Sequence, residues 1–135
     1  MKLRNSLIAL FTPVLALCLA PVSADEFTRQ DLKLWKSEYM AAVKAGRMVF
    51  TDPKLGTNGV VCAQCHPNGA NTHPETYPKF QKQLGKVTQM WEMVNWCIMN
   101  PLEGEALAAD DPRLTNMVTY ITHERRGKVL RPGKH

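Results

Sequence analysis

At 135 residues, 44% hydrophobic and 21% charged, the chain has material for one small domain and no more. Its 17 basic and 12 acidic residues leave a net charge of +5, too mild a surplus to point to nucleic acid. No apolar run is long enough to span a bilayer.

The chain opens with the pattern of a secretory signal peptide. Lys2 and Arg4 form a positive start, residues 7–19 a short apolar stretch interrupted by Pro13, and Val22-Ser23-Ala24 a small-residue cleavage site. Cys18 follows Leu17, where a lipid-anchored precursor takes a small residue, so no lipid anchor is expected. Residues 1–24 are therefore read as signal peptide. Residues 25–135 form one domain, periplasmic or otherwise exported, with no stable membrane anchor after cleavage. Loss of Lys2 and Arg4 takes the basic residues from 17 to 15 against 12 acidic, a net of +3. Cys62, Cys65 and Cys97 remain.

Residues 27–50 carry a helical pattern, with Leu32, Trp35, Tyr39, Ala42, Val43 and Phe50 at three- and four-residue steps. A break near Ser37 would divide it into two helices. Gly46 costs a helix about 1 kcal/mol against alanine, which a close packing contact would explain. Asp52-Pro53 ends the helix, and residues 51–60 form a polar loop.

That loop leads into Cys62-Ala63-Gln64-Cys65-His66, a C-x-x-C-H motif. Two thiols at this spacing can add to the two vinyl groups of one porphyrin, and the next residue places an imidazole under the iron. A zinc site would need a second ligand pair, and a thiol-disulfide site a βαβ setting; the sequence has neither, and no strand pattern. The motif predicts one covalent haem c, attached through Cys62 and Cys65, with His66 as proximal iron ligand.

Pro67-Asn68-Gly69 turns the chain, and residues 71–80 read as an irregular loop holding Pro74 and Pro78. A carbonyl in that loop could accept the Nδ1 proton of His66 and fix its ring. Residues 87–98 form a second helix, with Trp91 and Trp96 packing the haem crevice and Met90 and Met93 in the core. Asn100-Pro101 stops it. Asp110-Asp111-Pro112 caps a last helix running to about His123, which closes it as a surface cap. The tail from Gly127 is basic.

This order of elements resembles a class I cytochrome c. Gly46-Arg47-Met48-Val49-Phe50 resembles the first helix of that family, and Asn116-Met117-Val118-Thr119-Tyr120-Ile121 its last helix. The resemblance implies that Tyr120 crosses the first helix at Gly46, and an all-α fold, a small cytochrome c wrapped round one haem. The family's usual distal methionine is followed by proline, and no Met-Pro occurs here. Val94-Asn95-Trp96-Cys97 is instead similar to the cysteine-ligated cytochrome subunit of the Sox thiosulfate-oxidation complex, as is Tyr77-Pro78-Lys79-Phe80; that subunit is longer. Cys97 is the favoured distal ligand and Met99 the alternative, with an open site as a third possibility. His73 follows His66 too closely to reach the opposite haem face.

The expected function is single-electron transfer between exported redox proteins, docked through the basic C-terminal tail. Two alternatives stand beside it: a haem subunit of a sulfur-compound (thiosulfate) oxidising complex, and a ligand-binding or sensing haem. Near the motif no acid–base pair and no nucleophile beyond Cys97 is visible, which favours the carrier over an enzyme.

Overall fold

The computed structural model describes residues 26–130. The signal peptide assigned to residues 1–24 lies outside the described residues, as does the end of the basic tail. The first helix, α1 (Arg29–Phe50), starts at a reciprocal cap. Thr28 Oγ1 accepts from the Asp31 amide at 3.1 Å, and the Asp31 carboxylate accepts from the Thr28 amide at 2.9 Å. The break expected near Ser37 does not occur. Ser37 is exposed, so its weak helix propensity costs only a few tenths of a kcal/mol, roughly, and the helix runs on unbroken.

One helical turn, α2 (Cys62–Cys65), carries the motif. Short 3₁₀ turns follow at Pro67–Gly69 and Pro74–Thr76. The chain then forms an antiparallel hairpin, β1 (Lys79–Gln81) and β2 (Lys86–Thr88), with Lys79 opposite Thr88. The sequence reading missed this hairpin. Its strands are three residues long, and only the half-buried faces of Lys79 and Gln81, against an exposed Phe80, mark the alternation. The hairpin takes up residues 87 and 88, so α3 (Met90–Met99) begins three residues later than expected. The last helix, α4 (Pro112–Arg125), begins as the sequence predicts: the Asp111 carboxylate accepts from the Arg113 amide at 2.8 Å, and Pro112 fills the first turn.

Among the described elements, the contact between α1 and α4 is the most extensive. Gly46 makes it possible. A Cβ there would overlap the Asn116 backbone carbonyl and stand 2.8 Å from Tyr120 Cβ. Tyr120 is buried and packs its ring on Phe50, centroids 5.2 Å apart. Val43, Phe50, Met90, Tyr120 and Ile121 form one core cluster, and Ile98, Leu107, Leu114 and Met117 a second. Val94 packs against both. No described helix is long and apolar enough to cross a membrane.

Candidate haem site

Between the two clusters lies a cavity of ≈ 380 Å³, within the range of small-molecule and cofactor sites. Cys62, Cys65, His66 and Cys97 all line it. Two elements bring them there. The single turn of α2, closed by the His66 amide donating to the Cys62 carbonyl at 2.9 Å, presents the motif. Helix α3 presents Cys97, together with Met93 one turn earlier on the same face.

A clamp holds these two elements in register. The Thr57 amide donates to the Leu102 carbonyl at 3.0 Å, Thr57 Oγ1 to the Glu103 carbonyl at 2.8 Å, and the Asn58 amide group to the Pro101 carbonyl at 2.9 Å. The loop entering the motif is thus tied to the loop leaving α3. Behind α3, buried Asn95 spans the backbone of Leu107, donating to its carbonyl at 2.8 Å and accepting from its amide at 3.0 Å.

The His66 ring is oriented by its own turn. Its Nδ1 lies 2.8 Å from the Ala70 carbonyl. That partner sits one residue before the loop in which the sequence reading placed it. An Nδ1–H donated to this carbonyl leaves Nε2 unprotonated, the state an imidazole needs to bind iron. Burial pushes the Cys62 thiol up to about 11, with Cys97 adding to it, and likewise raises the Cys97 thiol to about 11. Both remain thiols at neutral pH unless sulfur bonds to carbon or metal. Phe50, Met90, Met117 and Ile121 supply an apolar wall. Among the described residues no three His, Cys, Asp or Glu side chains are grouped as a bare metal-ion site would need. The paired thiols, the oriented imidazole and the apolar wall fit a haem.

The other candidates divide between the cavity wall, where His73 also lies, and the surface. Met99 is 45% exposed and does not line the cavity. Met93, read from sequence as core, does line it, as does Met90. Trp96 lines the cavity as expected, but Trp91 is exposed and does not. His123 is half-buried rather than a surface cap, 5.7 Å from the Tyr39 ring. Arg126 donates to the Tyr39 hydroxyl at 2.9 Å. The described part of the tail, residues 127–130, is exposed.

Comparison with known proteins agrees with this geometry. The family model for the SoxA/TsdA cytochrome c domain matches residues 45–130, more than half of the chain. A thiosulfate dehydrogenase of Psychrobacter arcticus is 29% identical over 111 residues, 73% of this chain and 32% of its own length. Another, from Allochromatium vinosum, is 26% identical over 98 residues, 60% of this chain and 36% of its own. The chain thus spans about a third of the length of these relatives. From the motif, the cavity and the extent of the family match, the chain belongs to the SoxA/TsdA cytochrome c domain family, an all-α cytochrome fold around one covalently held haem c.

Proposed function

We propose that this domain is an exported, periplasmic one-electron centre. In this reading Cys62 and Cys65 hold the haem by thioether bonds, His66 is the proximal ligand and Cys97 the distal one. The observation that carries it is the placement of Cys97 on the wall of the same cavity as His66, whereas Met99 lies outside. The bound haem supplies a reversible ferric–ferrous couple. The chain sets its working range. His66 is held by the Ala70 carbonyl, Cys97 offers an anionic sulfur to the ferric state, and the apolar wall excludes water. Low-temperature EPR of the ferric protein tests the ligand pair, because imidazole/thiolate and imidazole/thioether ligation give different low-spin spectra. A high-spin signal would indicate an open site and sink the reading.

A second reading is favoured by the two thiosulfate dehydrogenases among the relatives. Here the same centre takes electrons directly from thiosulfate, with Cys97 on the wall of the cavity that holds the haem. The redox partners are then proteins of a sulfur-oxidation system. Turnover of thiosulfate with an artificial electron acceptor separates the two. Reduction of the haem by a protein donor but not by thiosulfate leaves the carrier reading alone standing.

A further inference from the structure

Haem is an amphipathic disc, with an apolar macrocycle and two carboxylates on one edge. Carboxylates brought to a half-buried site need cations or hydrogen-bond donors. Lys79 is the one lysine or arginine on the cavity wall among the described residues, and no aspartate or glutamate lines it. The hairpin holds Lys79 there. Its register pairs Lys79 with Thr88, immediately before α3, and turns Lys79 and Gln81 to the same half-buried face.

The surroundings leave this cation without a carboxylate of its own. Its ammonium lies 4.5 Å from the centroid of the Tyr77 ring, and burial lowers its pKa. Glu75, the carboxylate that acts on it from the preceding turn, makes no ion pair with it; Glu75 Oε1 lies 3.6 Å from His73 Nδ1. The hairpin's Lys86 is bound to Glu92 at 2.6 Å. The Tyr77 oxygen already accepts from the Gln81 side-chain amide at 2.5 Å. Its own O–H has no acceptor among the described residues.

We infer that the Lys79 ammonium and the Tyr77 hydroxyl form the carboxylate-binding edge of the cavity and take a haem propionate. This rests on the haem occupying the cavity, not on the identity of the distal ligand. Lys79 then has two effects. It would neutralise a buried carboxylate, and its positive charge on the cavity wall would disfavour the ferric state relative to the ferrous.

The test uses the haem-loaded protein and three variants, Lys79→Gln, Lys79→Arg and Lys86→Gln. Lys79→Gln is expected to lower the midpoint potential and to shift the propionate bending bands in the resonance Raman spectrum. Lys79→Arg, which keeps the charge, is expected to restore both. Lys86→Gln removes an equal charge from the same hairpin and is expected to leave the propionate bands in place. The inference is overturned if Lys79→Gln moves neither readout, if the arginine variant behaves like the glutamine one, or if Lys86→Gln shifts the bands equally. The ferric EPR signal should be unchanged in all three variants. An EPR change unique to the Lys79 variants, with unmoved propionate bands, would assign Lys79 to the iron side of the site and also overturn it.

Discussion

The backbone carbonyl of Asn116 on α4 occupies the place that a Cβ on Gly46 of α1 would take. Backbone meets backbone there, so no flexible side chain can yield. Gly46→Ala should therefore force the terminal helices apart. Overpacking of this kind costs about 1–3 kcal/mol, and leucine should cost more. A denaturant melt of the haem-loaded protein reads it. An unchanged midpoint would show that the crossing can open without cost.

Covalent attachment is checked chemically. The protein, made with a cytochrome c maturation system, should retain its haem through acid–acetone extraction. Cys62→Ala with Cys65→Ala should release it, because no thioether remains.

Asn95 ties α3 to the following loop through both its donor and its acceptor. Asn95→Ala leaves the buried Leu107 amide and carbonyl without partners, at about 1–3 kcal/mol for each group. The midpoint of unfolding should fall, and amide exchange at Leu107 should accelerate. Asparagine side chains that serve backbone in this way give no periodic signal. From sequence, Asn95 stood out only through its resemblance to a family motif.

What could be read from the chain was local chemistry. Pro112 after Asp111 marks a helix start because proline at that position loses no hydrogen bond. Cys62 and Cys65 sit within one turn of helix and His66 caps it, so their spacing alone places them together. Gly46 and Tyr120 were paired through a family resemblance, and the crossing is where that resemblance put it. Depth along a helix face was harder. Met93 and Met99 are both apolar members of α3, yet Met93 lies one full turn before Cys97 and Met99 only two residues after it, on a different face. Which face meets the cavity depends on the Asn95 and Asn58 contacts, and those join residues far apart in sequence.

Helix N-termini make the stability pH-dependent. The Thr28 hydroxyl and amide hold Asp31 below its usual carboxylate range, Lys86 does so for Glu92, and Arg113 for Asp111. Each pKa is lower folded than unfolded. The stabilisation is therefore present above the unfolded value, about 4, and is lost as pH falls through the folded one. Acid titration of unfolding midpoints should show a decline below about pH 5 that is shallower in Asp31→Asn. An identical slope in that variant would remove Asp31 from the account.

The ligand prediction follows from placing the sulfurs. Cys97 and Met93 reach the cavity, and Met99 does not. Outside the iron's field the Cys97 thiol is held near 11 by burial, but ferric iron deprotonates a coordinating thiol outright. A thiolate donates more electron density than a thioether and stabilises the ferric state, so the midpoint potential should lie below that of a His/Met cytochrome. Cys97→Ser should change the ferric spectrum and raise the potential. Met99→Leu should alter neither, because its side chain is turned to solvent. Met93→Leu should leave the ferric low-spin signal intact while Cys97 is present. In Cys97→Ser, Met93 is the thioether already on the wall, and adding Met93→Leu shows whether any low-spin signal that survives depends on it. If Met93→Leu alone abolished the ferric low-spin signal and Cys97→Ser were silent, the centre would be His/Met ligated and Cys97 would be a small apolar filler of α3.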